Sequence, residues 1–331
     1  MVRRLLAIQA QDLPAALLAV RIRTRSPSPE HDIVAALDAG TVVRSWPMRS
    51  TLHLVPAEDL GWMLALTTPR RLAATARRTA ELGVDTPLAD AAERVTRALL
   101  ADRRSVPRAE LVAAWEAAGL LGVPQRAYHL LWLLCQRGIT CLGPMRGPRQ
   151  DVVLLDEWVR APRRLERDEA LGEWMARYFA GHGPATLADA RWWTGLTLTD
   201  LRAGVAVARP RLQALVVDDV EYLMDPATPE VLAAARREAT GLHLVPAFDE
   251  LLLGYTDRTA LVRPEHADAI APGANGLFRP VVVDGGRAVG TWRRTGPVGA
   301  RTVEAEPFEE LTAAQQRAVA RVGARVLAFG P

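Results

Sequence analysis

The chain has 331 residues, of which 49% are hydrophobic and 24% are charged, a balance typical of globular proteins in water. A chain of this length is too long to form one compact core, so we expect two or three domains or several small modules. No apolar run reaches the roughly 18 residues of a membrane helix, and Gln9, Gln11 and Asp12 interrupt the start before a signal-type core forms. The sequence therefore predicts a cytoplasmic protein without membrane association.

The residues that commonly hold metals are few and scattered. Two cysteines, Cys135 and Cys141, are too few for a disulfide framework or for a zinc site made only of cysteines. The six histidines show no helical ligand spacing. We therefore expect neither a metal nor another cofactor.

All 41 basic residues are arginine, for which a GC-rich genome is the simplest explanation. The absence of lysine has a chemical consequence, because no Schiff base can form through a lysine amine. The net charge of +3 and the isoelectric point near 9.3 permit a polyanionic partner without requiring one.

The first predicted unit covers residues 1–86. A helix is expected over 28–39, with Ser28 as its cap and Gly40 as its end. The unit continues with two strands, over 41–46 and 51–55. A further helix follows within the residues up to 66.

Two further units repeat one order of elements. In 87–162, helices over 88–100, 107–118 and 124–137 precede a hairpin within 141–155; in 163–228, helices over 166–181, 186–194 and 199–208 precede strands over 212–217 and 221–224. Three helices followed by a hairpin is the order of a winged helix-turn-helix. The sequence predicts such units in tandem.

Residues 229–331 show short strands separated by turns from residue 242 onward, then a final helix over 312–327. This pattern predicts a C-terminal β-rich domain with a small antiparallel sheet or partial barrel. The predicted class is therefore α+β, with tandem winged-helix units before a β-rich, barrel-like domain.

Winged helices usually bind DNA, so a transcriptional regulator is one hypothesis. The predicted recognition helices, 124–137 and 199–208, carry few polar side chains with which to read bases. No heptad or dimer helix is recognised either, so we expect a monomer.

Three segments indicate another function. They are Leu6-Ala-Ile-Gln-Ala-Gln-Asp12, Val43-Arg-Ser-Trp-Pro-Met-Arg-Ser-Thr-Leu-His-Leu-Val-Pro56 and Leu244-Val-Pro-Ala-Phe-Asp-Glu-Leu-Leu-Leu-Gly-Tyr-Thr-Asp-Arg258. In this order they resemble segments of the bacterial winged-helix DNA glycosylases of the AlkZ and YcaQ group, and the resemblance covers nearly the whole chain. In the third segment we expect Asp249 to pair with Arg258 or to cap a turn.

The resemblance implies three winged-helix units and a β-rich domain around a basic channel, acting on double-stranded DNA with alkylated bases. It also implies that Gln9 and Gln11 form the group's glutamine-aliphatic-glutamine active-site motif. The YcaQ branch has an aspartate where this chain has Gln11, so the chain resembles the AlkZ branch, whose studied members protect antibiotic producers from their own DNA-alkylating products. Family members generally carry a further helix before the motif, so we expect a shortened first unit or a start codon assigned too late.

Two glutamines can suffice for this chemistry when the base is already cationic. An N7- or N3-alkylated purine leaves as a neutral base, so no general acid is needed. Amide oxygens can place a water and stabilise the developing sugar cation. We assign Gln11 to the water and Gln9 to its support, and expect both at a helix end or turn before Pro14. Without lysine, we expect a monofunctional enzyme that leaves an abasic site; a non-catalytic DNA-binding relative is the alternative.

Several side chains are candidates for contact with DNA. Trp46 is expected to stack on a base or sugar. His53 is expected either to touch the substrate or to be a core histidine with its hydrogen bonds satisfied. The candidate phosphate contacts are arginines next to turns or in predicted hairpins: Arg44, Arg49, Arg146, Arg149, Arg293 and Arg294.

Overall fold

The computed structural model describes residues 1–25, 29–274, 276–297 and 299–328. The first part of the chain places a short strand and a hairpin among helices. Its elements are α1 (Val2–Leu5), β1 (Ile8–Gln9), α2 (Leu13–Arg21), α3 (Pro29–Asp38), β2 (Val42–Met48), β3 (Thr51–Pro56) and α4 (Leu60–Glu81). The expected cap Ser28 lies outside the described residues.

The middle of the chain follows the predicted order of helices and hairpins closely. Its elements are α5 (Thr86–Leu100), β4 (Val106–Pro107), α6 (Arg108–Ala117), α7 (Arg126–Gln136), β5 (Thr140–Arg146), β6 (Arg149–Leu154), α8 (Leu155–Trp158), α9 (Arg167–His182), α10 (Leu187–Thr194), α11 (Leu198–Ala208), β7 (Gln213–Val217) and β8 (Val220–Met224).

The C-terminal part contains the predicted short strands and the final helix. Its elements are α12 (Thr228–Ala239), β9 (His243–Val245), α13 (Glu250–Leu253), α14 (Ala267–Ile270), β10 (Val281–Asp284), β11 (Arg287–Thr295), β12 (Thr302–Pro307) and α15 (Ala313–Leu327). The predicted α+β class is confirmed. Features that were not predicted include the N-terminal helices α1 and α2, helix α12, and the continuation of α4 to Glu81 in spite of Pro69.

The main sheet joins hairpins from two of the predicted units. Its strand order is β1-β3-β2-β5-β6-β4, and Arg44 pairs with Leu142 where the two hairpins meet. The strands of the third predicted unit, β7 and β8, form a separate hairpin. The domain boundaries expected near 86, 162 and 228 stay predictions.

The tip of the β2–β3 hairpin is a two-residue turn. Met48 pairs with Thr51, and both Arg49 and Ser50 have positive φ angles, of 51° and 59°. This conformation matches the twist of the flanking strands but is unfavourable for residues with a Cβ. The turn directs Arg49 back toward the largest core.

That core is built from α4, α9, α10 and α11 together with the end of the main sheet. Trp62 packs edge-on against Trp174 with ring centroids 5.6 Å apart, and Trp193 is fully buried nearby. These buried aromatic side chains therefore serve packing.

The C-terminal region has a four-stranded antiparallel sheet in the order β12-β11-β10-β9. Helix α15 covers this sheet, and Leu18 of α2 packs into the same cluster as Trp292 and Val326. The C-terminal sheet is thus held against the helix that follows the glutamine motif.

Within the described ranges, no helix is long and apolar enough to cross a membrane. In the same ranges no group of three His, Cys, Asp or Glu side chains is arranged to hold a metal ion. Cys135 and Cys141 are both buried and unoxidised.

A largely buried ion pair fastens α2 to the start of α13. Both terminal nitrogens of Arg23 donate to the Asp249 carboxylate, at 2.7 and 2.5 Å, and Asp249 also accepts from the main-chain N–H of Leu251. Of the two alternatives predicted for Asp249, the turn cap is present, and the ion pair is made with Arg23 rather than with Arg258. The Arg258 guanidinium instead donates to the main-chain oxygen of Leu252.

We expect Asp249→Ala to lower the free energy of unfolding by about 3 kcal/mol, because it leaves the Arg23 guanidinium without its partner in a poorly solvated place. Urea denaturation measures this loss. Arg25→Ala is the matched control, since it breaks the Arg25–Glu238 pair, whose side chains are 84% and 69% exposed. The control should cost less than about 1 kcal/mol. Equal losses in the two variants would contradict the structural role of Asp249.

Candidate active site and DNA-binding cleft

The glutamine motif spans the connection between a strand and a helix. Gln9 ends β1 and pairs in register with His53 of β3. Gln11 lies one residue before Asp12, the N-cap of α2, whose side chain accepts from the N–H of Ala15. The predicted position before Pro14 therefore holds for Gln11. It is wrong for Gln9, because the edge of β3 offers main-chain partners that draw Ile8 and Gln9 into the sheet.

The two glutamine side chains have different surroundings. Gln9 is only 6% exposed, and its Oε1 accepts a hydrogen bond from the main-chain N–H of Gln11 at 3.3 Å. Gln11 is exposed, and its Oε1 accepts from the main-chain N–H of Leu52 at 3.3 Å. Gln9 is therefore placed to hold the loop, whereas Gln11 can meet a substrate.

Gln11 lines a cleft of about 950 Å³. The main-sheet strands β2, β5 and β6 and the helices α6 and α7 contribute its other walls. Among its lining side chains are four of the predicted DNA contacts, Arg44, Trp46, Arg146 and Arg149. The structure therefore brings these four together with Gln11, although they come from distant parts of the sequence.

Arg44 holds the main chain of the motif. Its Nε donates to the carbonyl of Ala10 at 2.8 Å, and its Nη2 donates to that of Gln11 at 3.3 Å. Its Nη1 donates to Oε1 of Gln150 at 3.3 Å. Burial lowers the pKa of Arg44 to about 10, so the guanidinium remains cationic at neutral pH. Arg44 thus positions Gln11 and also adds positive charge to the cleft.

Trp46 forms the inner wall of the cleft rather than an exposed stacking platform. It is 2% exposed and meets Tyr128 edge-on, with centroids 6.0 Å apart. Tyr128 is 41% exposed, and the guanidinium of Arg108 lies 5.5 Å from its ring centre. Tyr128 and Arg108 were not predicted. The available signal was an aromatic ring on α7, the third helix of the second predicted winged-helix unit.

The remaining candidate arginines differ in their ion pairing. Arg146 is engaged by Asp151 through Nε and Nη2. Arg149 is exposed, and no carboxylate of the described residues pairs with it. Of the two candidate arginines in the β5–β6 hairpin, Arg149 is therefore the one whose charge is not paired with an acid of the described residues.

The two C-terminal candidates do not line the cleft. Arg293 pairs with Glu304 and Glu306 on the neighbouring strand. Arg294 is half-buried and donates to the carbonyl of Val326. Burial and Arg301 lower the pKa of Arg294, whereas Asp12 opposes this shift.

His53 is fully buried behind the motif. Its Nδ1 lies 2.8 Å from the carbonyl of Thr51, which can only accept, so Nδ1 carries the proton. Its Nε2 faces Nη2 of Arg49 at 3.5 Å. Burial and the charge of Arg49 lower the pKa of His53 to about 3. His53 is therefore neutral at physiological pH and belongs to the buried network.

Glu250 is the centre of that network and was missed by the sequence analysis. Its Oε1 accepts the main-chain N–H of Gln9 at 2.9 Å, and its Oε2 accepts Nε1–H of Trp193 at 2.6 Å. Nε2 of His182 lies 3.3 Å from the same oxygen. The only sequence signal was an acidic residue followed by an apolar run. Glu250 thereby connects the motif to α9 and α10.

Glu250 remains ionised although it is 3% exposed. Burial alone would raise its pKa, but His182, Arg49 and the amide of Gln9 together lower it to about 2. A full negative charge therefore lies directly behind the motif.

Known proteins are similar to this chain in sequence and in fold. The family model of the AlkZ-like DNA glycosylases matches residues 2–329. An interstrand DNA cross-link repair glycosylase of Streptomyces sahachiroi is 30% identical over 318 residues, covering 88% of this chain and 80% of the relative. The solved structure of Streptomyces sahachiroi DNA glycosylase AlkZ is similar with a TM-score of 0.77 and 27% identity, over 99% of this chain and 90% of that one.

The fold, the site and these similarities define an enzyme that acts on DNA, a DNA glycosylase. More narrowly, the chain belongs to the AlkZ-like DNA glycosylase family. The resemblance drawn from the three sequence segments is thereby confirmed, and the regulator hypothesis is set aside.

The low pKa of Glu250 predicts a stability that depends on pH. The folded protein keeps this carboxylate ionised down to about pH 2, whereas in the unfolded chain it takes up a proton near pH 4.5. Its contribution is therefore complete above about pH 4.5 and is lost as the pH falls toward 2. We expect Glu250→Gln to reduce the free energy of unfolding by about 3 kcal/mol at pH 7.

Urea denaturation repeated from pH 7 down to pH 3 measures this effect. The difference in the free energy of unfolding between the wild type and Glu250→Gln should shrink as the pH falls. Glu230→Gln, an exposed acid on α12, is the control and should follow the wild type throughout. A constant difference across the pH range would contradict the ionised state of Glu250.

Proposed function

We propose that this protein is a monofunctional DNA glycosylase that hydrolyses the N-glycosidic bond of cationic alkylated purines, with N7-alkylguanine as the main class, and leaves an abasic site. The observation that carries the proposal is the exposed Gln11 amide in the wall of a large cleft that Arg44, Arg149 and Tyr128 also line. Two carboxylates line the same cleft, and both are engaged. Asp12 caps α2, and Asp151 pairs with Arg146.

The chemistry fits a neutral amide. An alkylated purine that carries a positive charge leaves without protonation, so the enzyme needs only to place a water at C1′ and to favour the developing sugar cation. Gln11 is accessible and can accept from that water through Oε1. Gln9 fixes the main chain of Gln11 from behind, which supports its assignment as the helper.

The size of the cleft supports bulky substrates. A volume of about 950 Å³ lies at the upper end of the range for small-molecule sites and exceeds what a methylated base requires. The Streptomyces sahachiroi relative is named for repair of interstrand cross-links. We therefore include bulky adducts and interstrand crosslinks among the proposed substrates. A role in DNA repair linked to antibiotic self-resistance, carried out by a monomer in the cytoplasm, completes the proposal.

Base release is the direct test. Purified protein is incubated with a duplex that contains one N7-methylguanine, and alkali then reveals abasic sites. We expect cleavage by the wild type and a loss of about 100-fold or more for Gln11→Ala, because water placement by this group is removed. Gln9→Ala should lose less, since it acts through Gln11. Gln213→Ala, which removes an exposed glutamine on β7 outside the cleft, is the matched control.

Asp12→Asn separates the amide mechanism from a carboxylate mechanism, because asparagine is also a good N-cap. Loss of base release in Asp12→Asn together with full activity in Gln11→Ala would assign the base to the carboxylate. No release by the wild type from either a methylated or a bulky, crosslinked duplex would favour a non-catalytic DNA-binding relative.

The absence of lysine gives a second prediction. Borohydride added during turnover should trap no covalent DNA complex, because no lysine amine is available to form an imine. A glycosylase that forms such an imine serves as the positive control. A trapped complex would contradict the monofunctional mechanism and would point to the N-terminal amine.

A further inference from the structure

A second, smaller cleft lies at the tip of the β2–β3 hairpin, between α4 and the connection from α10 to α11. Its volume is about 220 Å³, below the usual range for sites that hold whole small molecules. Arginine side chains dominate its charged lining: Arg49, Arg70, Arg71 and Arg167 face a single acid, Asp200. A cleft of this size and charge suits a small anionic group.

The one acid of the cleft is already neutralised. Asp200 pairs with Arg167 at 2.5 Å and also accepts from the hydroxyl of Thr197. In the described part of the chain, no carboxylate lies within ion-pair distance of Arg49, Arg70 or Arg71. Among the described residues, Arg70 and Arg71 therefore lack an acidic partner, and Arg49 is acted on only by the more distant Glu250 behind the motif.

The hydrogen bonds of these arginines leave most of their donors unused. Arg70 donates to the carbonyl of Gly195 at 3.1 Å, and Arg71 donates to Oγ of Ser50 at 3.4 Å. Arg49 meets only the ring of His53, and its buried Nε has no hydrogen-bond partner among the described residues. A buried guanidinium N–H without a partner is costly, so Arg49 is a poorly satisfied cation at the edge of the cleft.

Two of these charges act on each other, because burial and the neighbouring charge of Arg70 lower the pKa of Arg71. Burial also lowers the pKa of Arg49, whereas Glu250 opposes that shift. Such crowding is unfavourable for the free protein and is relieved when an anion binds. Arginine is suited to this role because its planar fork can hold two phosphate oxygens at once.

We propose that Arg70 and Arg71, together with Arg49, bind a phosphate of the DNA backbone and anchor the strand beside the active site. Arg71 contacts Ser50 in the turn of the β2–β3 hairpin, and Gln11 contacts Leu52 near the start of β3, two residues further along the chain. The anchor rests on the proposed function only in taking DNA as the ligand, and it does not depend on the hydrolytic step.

The test is binding of undamaged duplex DNA, measured by fluorescence anisotropy over a series of salt concentrations. Arg71→Gln should weaken binding and reduce the slope of log affinity against log salt by about 0.9, the value for one lost phosphate contact. The double variant Arg70→Gln/Arg71→Gln should show at least the same reduction. Arg77→Gln on the same helix is the matched control, because Arg77 is 93% exposed and pairs with Glu81. Its slope should equal that of the wild type.

Thermal denaturation of each variant confirms that the compared proteins are folded. A double variant whose affinity and slope both equal those of Arg77→Gln would overturn the anchor, whatever its base-release activity. A reduced slope in the variants, together with no base release by the wild type, would support the anchor while contradicting the proposed hydrolysis. The two proposals therefore fail separately.

Discussion

The arrangement of the site depends on one buried carboxylate. Glu250 accepts hydrogen bonds from Gln9, 241 residues earlier in the chain, and from Trp193. An ionised carboxylate without such donors would not remain charged in this core. The network is tightly packed, since a Cβ on Gly254 would lie 2.6 Å from the ring of His182. The motif is consequently held by a charge that only the folded chain can stabilise.

Most of the secondary structure could be predicted from local sequence patterns. The helices from α5 to α11 and the hairpins after them follow apolar periodicity and turn residues that act over a few positions. The shared sheet could not be predicted in this way, because the contact between Arg44 and Leu142 joins segments about a hundred residues apart. Helix α12 was also missed. None of its side chains is buried, so it contributes to none of the apolar cores.

Candidate site residues could be named from the sequence where a motif existed, and were missed where only charge balance mattered. Gln9 and Gln11 were recognised through a family resemblance, but the pairing of Gln9 with β3 depends on a strand some forty residues later. Among the arginines, sequence cannot tell which charges acids neutralise. Arg293 is compensated by Glu304 across a strand pair, whereas Arg71 is not compensated at all in the described residues. Partner choice is a property of tertiary structure.

In the proposed mechanism, an amide in place of a carboxylate would give the site its selectivity. A cleft of about 950 Å³ is too roomy to distinguish damaged from normal purines by shape alone. A neutral amide gives little driving force for hydrolysis, so a normal purine, which must be protonated before it leaves, remains attached. A purine made cationic by alkylation needs no such help. Discrimination would then lie in the leaving group, and the protein would supply only the placed water, the Glu250 network that fixes Gln9, and the arginines that hold the strand.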